Sequence, residues 1–413
     1  MRSLNPAERP RILMLITHLS YGGAQGSFLR IARFLSAHAD VRLALMMPEQ
    51  DGPGSWAGDL PVVVLGDGDS VSGIWAKARR WVRMARRLRA LKRDHDVAIS
   101  FMSGPNLLNA LAGFAQRTVT SERGSKRNDI GMSPAQRRLW TRLLDPFAYW
   151  RSCCVVAASE GLAHEIRTAN PRLGRRVVAI EGTIDTAELL AAAERPVEPE
   201  LDWLAGQETV VAYGRLHIQK GYDFLLRVFA GVRAERPEAR LLLIGDGAEA
   251  ERLRGIAGAL GLRWGDIAAA DRPDVVFAGY RPQPIRYARL GRVFAFPSRF
   301  EGLPNALIEA LAAGVPVLAS DCKWGPRSIL SGRTWGYGDA DRPLPQRLTH
   351  GVLMPVPDVP GAQEIWQAEL ARALAAPPAR RSRDAREADV AIYDMACTGP
   401  RWLSVVSREG TRG

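Results

Sequence analysis

Two trains of short apolar runs limit what this chain can fold into. The first comprises Arg11–Ile16, Val41–Met47, Val62–Leu65, Val97–Phe101, Cys153–Ala158 and Arg176–Ile180. The second comprises Thr209–Tyr213, Arg240–Ile244, Val275–Ala278, Arg292–Phe296, Val315–Ala319 and Gly351–Pro355. Amphipathic stretches separate the runs. Strands apolar on both faces, alternating with helices, are the pattern of parallel sheets with crossover helices, so each train predicts a doubly wound α/β domain. The trains divide at Arg195–Leu201, where Arg-Pro-Val-Glu-Pro-Glu-Leu reads as a linker. The expected organisation is therefore one domain over 1–195 and a second over 196–385, facing a cleft. After the polar break Ala375–Arg386, a closing helix within 386–413 is expected to pack back toward the N-terminal domain. A chain of 413 residues suits two domains.

Composition mostly excludes. No stretch approaches the roughly 20 apolar residues of a membrane-spanning helix, and Met1–Pro6 leads into charge with no signal-peptide core, so a cytosolic protein is expected. The four cysteines lack CxxC spacing and the six histidines form no HxxxH pattern, so no metal site and no cofactor are expected. The formal charge of +12 calls for an anionic partner. Nucleic acid is disfavoured, because the basic residues sit in helix-like segments without RNA-motif aromatics or a helix-turn-helix signature.

In doubly wound sheets ligands sit beyond the carboxyl ends of strands, and four segments there carry chemistry. The strongest is Pro297-Ser298-Arg299-Phe300-Glu301-Gly302-Leu303-Pro304-Asn305, running through Glu309-Ala310. A strand ends at Phe296, and Pro304 suits the first position of a new helix, whose free amides and dipole form an anion site. Glu301 in the turn and Glu309 in the helix suit hydroxyls of a sugar and a ribose. Next, Tyr213-Gly214-Arg215-Leu216-His217-Ile218-Gln219-Lys220-Gly221 follows another strand, and its Arg215 and Lys220 suit a departing diphosphate. Gly245-Asp246-Gly247 and Gly279-Tyr280-Arg281 let backbone approach a ligand such as a base. Tyr21-Gly22-Gly23-Ala24 follows the first strand and suits a phosphate, although it is not the GxGxxG of dinucleotide sites.

With these elements in this order the chain resembles the family-4 retaining glycosyltransferases of the GT-B fold, built from two Rossmann-like domains. The resemblance is strongest to bacterial enzymes that assemble polysaccharide or glycans on polyprenyl diphosphate. It rests on Gly22-Gly23-Ala24, Ser121-Glu122-Arg123, Gly214-Arg215 with Lys220-Gly221, Gly245-Asp246-Gly247, Glu301 through Glu309-Ala310, and Gly325-Pro326-Arg327. It implies an N-terminal acceptor domain and a C-terminal donor domain. In that family Arg215 and Lys220 would hold the donor diphosphate without a metal, and Glu301 would contact sugar hydroxyls. The amides near Gly302, Leu303, Pro304 and Asn305, Pro304 itself carrying no N–H, would hold sugar and phosphate, and Glu309 the ribose. Gly214, Gly245, Gly279, Tyr280 and Arg281 would frame the nucleotide, and Gly22 and Gly23 would close over its phosphates. Expected partners are a nucleotide sugar, UDP-linked by preference, and a saccharide or polyprenyl-diphosphate-linked acceptor. A nucleotide-sugar enzyme of epimerase or phosphorylase type is the alternative. Three departures fall in the N-terminal half: Gly23-Ala24-Gln25-Gly26, Ser121-Glu122-Arg123-Gly124 and Gly182-Thr183-Ile184-Asp185. The stretch Ser331–His350 is longer than the family leads one to expect.

Ile74–Arg93 stands apart. Ile74, Ala78, Trp81, Ala85 and Leu88 mark one helical face, and nine basic residues fall between Lys77 and Arg93 with no acid among them. That pattern predicts an anionic membrane surface as a further partner, and location on the inner face of the cell membrane.

Overall fold

The computed structural model describes residues 9–20, 22–48, 56–67, 72–269, 271–332, 343–377 and 380–407. The chain forms two compact units. The first takes Met1–Arg127, Met132–Ile184 and Tyr393–Gly413, and the second Asn128–Gly131 and Asp185–Ile392.

In the first unit, β1 (Arg11–Ile16), β2 (Asp40–Leu45), β3 (Val62–Val64), β4 (Val97–Phe101), β5 (Thr118–Glu122), β6 (Cys154–Ala157) and β7 (Val177–Ala179) form one sheet. Their order is β3-β2-β1-β4-β5-β6-β7 and every pairing is parallel. The winding reverses between β1 and β4. Helix Gly23–Ser36 covers one face, where Phe28, Ile31 and Leu35 join Trp402 of the helix Met395–Val406 in the core. Trp402 stacks on Phe101 with centroids 5.8 Å apart. Gly399 allows the two helices to meet, since a Cβ there would lie 2.3 Å from the Phe34 ring. On the other face, Met84 and Leu88 of the helix Ile74–Arg93 pack against Leu13, Leu15 and Ala44.

The second unit holds β8 (Thr209–Tyr213), β9 (Arg240–Ile244), β10 (Trp264–Gly265), β11 (Val275–Phe277), β12 (Val293–Phe296), β13 (Val317–Ser320), β14 (Gln346–Leu348) and β15 (Gly351–Met354). The order is β10-β11-β9-β8-β12-β13-β15-β14, reversing between β8 and β12, and only β14 runs antiparallel. Helices Tyr222–Glu235 and Ala362–Ala375 pack on one face, with Phe224 edge-on to Trp366 at 5.9 Å. The chain thus has two parallel-sheet Rossmann-like domains, the architecture expected from the strand trains.

Twelve expected strands are present, with ends shifted by at most two residues. β5, β10 and β14 were not expected. β5 reads Thr-Val-Thr-Ser-Glu yet every residue is buried. Its polarity is absorbed by neighbours: Asn106 Nδ2 donates to Ser121 O (3.1 Å) and Glu122 Oε1 (2.9 Å), and Lys92 Nζ donates to Thr118 Oγ1 (2.7 Å). The chain leaves the first unit at 184/185 and returns at 392/393, whereas the sequence divides at 195/196 and 385/386. Packing explains the difference. Helix Thr186–Glu194 packs against Ile285–Ala288, Asn305–Ala313 and Arg383–Val390, and Glu194 pairs with Arg386 at 3.0 Å. Of the stretch 331–350, residues 333–342 lie outside the described residues, and 343–350 supply β14.

Lys92 departs most from its expected part. It is 1% exposed, and its Nζ also donates to Asn109 Oδ1 (2.7 Å), Gly113 O (2.6 Å) and Asn109 O (3.1 Å). Burial pushes this lysine down to about 7 from an ordinary 10.5. Between those values the unfolded chain holds a proton that the folded chain has released, so this group's contribution to stability rises with pH. Urea denaturation at pH 7 and pH 9.5 should show wild type gaining stability relative to Lys92→Met. An unchanged difference would mean that the four oxygens hold the proton in place.

Candidate functional site

The reversal between β8 and β12 puts two loops side by side at the carboxyl edge of the second sheet, the place where such folds bind ligands. The first loop runs from Gly214 to Gly221. Gly214 has φ +148, and a Cβ there would lie 2.9 Å from Tyr222 Oη and 3.4 Å from Lys220 Cε. The backbone ends of β8, β9 and β11 interlock here. Gly214 N donates to Ile244 O (3.0 Å) and Gly245 N to Gly279 O (2.8 Å). A Cβ on Gly245 would sit 1.9 Å from Gly214 O, so the edge closes only on glycine.

The second loop carries Glu301. Lys220 Nζ reaches Glu301 Oε1 at 2.6 Å, and Ser298 Oγ donates to the same oxygen at 2.9 Å. Lys220 also lies 5.3 Å from the Phe296 ring centroid. Both charges are largely withdrawn from water, at 15% and 9% exposure. The Glu301 backbone is fixed by reciprocal bonds, Glu301 N to Lys323 O (2.8 Å) and Trp324 N to Glu301 O (3.1 Å). Gln219 Nε2 donates to Phe300 O (2.8 Å), tying the two loops together.

Sequence reasoning gave Arg299 no role, and it is the loop's anchor. Its guanidinium meets Asp223 at 2.8 and 3.0 Å, Asp358 at 2.6 and 3.1 Å, and Ile218 O at 2.9 Å. These hydrogen bonds and carboxylates push Arg299 above the ordinary arginine value despite burial, and Arg299 holds Asp223 below the usual carboxylate range. Cys322 is buried close by, and burial, then the Glu301 charge, pushes its thiol up.

Helix Asn305–Ala313 begins where the second loop ends. Pro304 caps it in extended conformation rather than entering its first turn, accepting Leu307 N at 3.1 Å. Tyr213 Oη donates to Ala306 O (3.2 Å), linking β8 to the helix start. Asn305 and Glu309, four residues apart, share one half-buried face, while Leu307, Ile308 and Ala310 point into the core. Gly302 and Leu303 are buried in the turn. Gly325 packs against it, since a Cβ there would lie 2.6 Å from Pro304 Cδ.

Arg215 is exposed, although its charge acts, after burial, to lower His217. Gly279 has φ +68 with open space around it, Tyr280 is exposed, and Arg281 approaches Glu198 at 3.7 Å. Gly22 and Gly23 open the helix Gly23–Ser36 in the first unit, and Tyr21 lies outside the described residues.

Residues 207–348 match the family model described as glycosyl transferases group 1. The chain is 26% identical over 342 residues to the lipopolysaccharide core biosynthesis glycosyltransferase LpsE of Rhizobium meliloti, covering 79% of this chain and 86% of that protein. Over the matched residues 207–348 the chain is similar to group 1 glycosyltransferases. A second relative, an uncharacterised glycosyltransferase of Methanocaldococcus jannaschii, is 38% identical over 117 residues, 28% of this chain and only 27% of that protein's length. Among solved structures, Anabaena HepE in complex with UDP and glucose superposes with a TM-score of 0.72 at 17% identity, covering 96% of this chain and 99% of that one. The fold is GT-B. The family match encloses both loops of the site and the interlocked glycines.

The basic helix Ile74–Arg93 is less free than its sequence suggests. Arg83 and Arg87 pair with Asp67 at 2.6 and 2.9 Å, Arg89 donates to Ala112 O at 3.2 Å, and Lys92 is buried. The packed stripe starts at Trp81, so Ile74 and Ala78 are off it and exposed. A second surface went unnoticed in the sequence. Along the helical run 134–150, Leu139, Leu143, Phe147 and Trp150 recur at spacings of four, four and three and are exposed, Trp150 by 66%. Arg137, Arg138, Arg142 and Arg151 accompany them.

The Lys220–Glu301 pair generates a test. Glu301→Gln leaves Lys220 buried without its counter-charge and should cost about 2–4 kcal/mol, near the lower part of the range for a broken buried pair because Lys220 keeps some exposure. Inorganic pyrophosphate should then raise the melting temperature of Glu301→Gln more than that of wild type, since the anion replaces the lost carboxylate. Equal shifts in thermal denaturation would mean that Lys220 does not meet the anion.

Proposed function

We propose that this protein transfers a sugar from a nucleotide-diphosphate sugar to a glycan or lipid-linked saccharide acceptor, with retention of configuration, in the assembly of a cell-surface polysaccharide. The observation that carries the reading is the Lys220–Glu301 pair, desolvated at the switch point of a sheet that lies within the family match. In this reading Lys220 and Arg215 neutralise the departing diphosphate, and no metal is needed. Glu301 orients sugar hydroxyls from a backbone fixed at both N–H and C=O. The amides from Gly302 to Asn305 hold sugar and phosphate at a helix start, and Glu309 on the same helix face reaches the ribose. Gly279, Tyr280 and Arg281 frame the base, and Gly22 and Gly23 meet the phosphates. Attack on the donor's own face, with the leaving phosphate taking the acceptor proton, accounts for retention without a protein nucleophile. HepE, solved with UDP and glucose, supports a UDP-linked donor, and LpsE supports a surface-polysaccharide acceptor.

Removing one charge-stabilising donor costs on the order of 10²–10³ in kcat. Lys220→Ala should fall by about that factor in donor-dependent radiolabel transfer to a lipid or glycan fraction, and EDTA should leave wild-type turnover intact. A strict requirement for a divalent ion at saturating donor would overturn the assignment.

The same reading places the acceptor at a membrane surface. Lys77, Arg79, Arg86 and Arg93, exposed on the helix Ile74–Arg93, and the apolar stripe from Leu139 to Trp150 with its arginines support docking on an anionic bilayer. Each basic residue near such a surface contributes about 1 kcal/mol. Sedimentation with anionic liposomes should show binding at low salt that weakens steeply as salt rises. Changing Lys77, Arg79, Arg86 and Arg93 together to Gln should release most of it. Protein left in the supernatant at low salt would remove the membrane from the proposal and leave sugar transfer standing.

A further inference from the structure

At the carboxyl end of β5, Arg123 is half-buried and has no counter-charge among the described residues. Its Nη1 is wholly enclosed and has no hydrogen-bond partner, and its guanidinium carbon lies 5.8 Å from the centroid of the Phe101 ring. Among the described residues no carboxylate acts on it. Burial, then the positive charge of Arg30, lowers Arg123 to about 10. Glu122 next to it is turned away, engaged by Asn106 and by Lys126, which also holds Asp145 at 2.8 Å. Arg30 comes from the helix Gly23–Ser36. Its Nε donates to Thr183 O, and its Nη1 lies over Gly26 in the first turns of that helix. That first turn contains no acid.

A second observation points to the same place. Side chains alternate along a strand, so Thr118 and Glu122, which meet Lys92 and Asn106, take one face of β5, and Val119 and Ser121 take the other. Val119 lies in the core with Phe28 and Phe101, so this other face is the one that Arg123 and the helix of Arg30 cover. Ser121 is 0% exposed, and its Oγ also lacks a partner. Two guanidinium groups and an unpaired hydroxyl thus lie on one face of one strand end. A buried charge without a partner is strongly unfavourable, and a buried hydroxyl without one costs a further increment. Both costs disappear when an oxyanion accepts from Arg123 and Ser121.

We propose that Arg123, Arg30 and the Ser121 hydroxyl form an oxyanion subsite in the first unit, which takes the anionic group of the acceptor. The assignment to the acceptor rests on the sugar-transfer reading, whereas the oxyanion subsite itself does not. A phosphate and a sugar carboxylate share this chemistry, and the two are separable by probe. The experiment is calorimetric titration of the full chain carrying Lys220→Ala, which removes the other cation facing a diphosphate, with inorganic pyrophosphate and separately with D-glucuronate. The probe that binds at least tenfold more tightly names the source of the oxyanion. Adding Arg123→Gln should weaken that binding at least tenfold, and Arg123→Lys should weaken it less, because charge is kept while the fork is lost. Arg123→Gln should melt no lower than its parent in the absence of anion and lose the anion-induced rise in melting temperature. Its affinity for UDP should match that of its parent. Equal binding of both probes with and without Arg123→Gln would overturn the subsite, as would a lowered melting temperature together with no binding of either probe to the parent. Failure of wild type to bind UDP or transfer sugar would count against the proposed function alone, since the titrations judge the subsite without it.

Discussion

The geometry of the second unit's site hangs on the guanidinium of Arg299. Arginine has five N–H donors in a rigid fork, and here five acceptors receive them, two on Asp223, two on Asp358 and one on Ile218. Those acceptors come from the loop after β8, from the first turn of the helix Tyr222–Glu235 and from the segment after β15. An arginine with a side chain only 7% exposed would be ruinous unpaired. Fully paired, it locks three distant pieces of chain around the turn that presents Glu301. The site is therefore stiff where the carboxylate leaves the backbone and open where Arg215 and Tyr280 face solvent.

The two units spend buried polarity differently. In the second, charges are matched in tight pairs, and the edge is closed by glycines at van der Waals limits. In the first, amide side chains of Asn106 and Asn109 donate to Glu122 and Ala98 O, and Lys126 sits between Glu122 and Asp145. Burial pushes Asp145 up to about 7, against the pull of Lys126 and with help from Glu122. The first unit thus keeps charge near the carboxyl end of β5 adjustable, whereas the second holds it fixed.

The fold was legible because parallel strands buried on both faces must be apolar. Where that rule lapses, legibility lapses with it. β5 was hidden because Thr118, Thr120, Ser121 and Glu122 are polar yet buried, Thr118 and Glu122 among partners that only tertiary structure supplies, and β10 and β14 were too short to register. The meeting of Lys220 and Glu301 could be anticipated from their places after strands. Arg299 could not, since its partners lie 59 to 81 residues away in sequence. The basic helix misled for a related reason. Its counter-charge, Asp67, sits outside it, and Lys92 satisfies itself with oxygens that no local pattern announces.

The position of the helix Met395–Val406 has a consequence for synthesis. The core of the first unit contains Trp402, contributed by a stretch that a ribosome delivers only after the second unit, which is nearly continuous in sequence from Asp185 to Ile392. During translation the sheet β1–β7 must wait with the Phe28 and Phe101 side of its core unsealed while the later unit emerges and closes. The domain begun first is finished second, and in that interval its apolar face is the part of the nascent chain most in need of a chaperone.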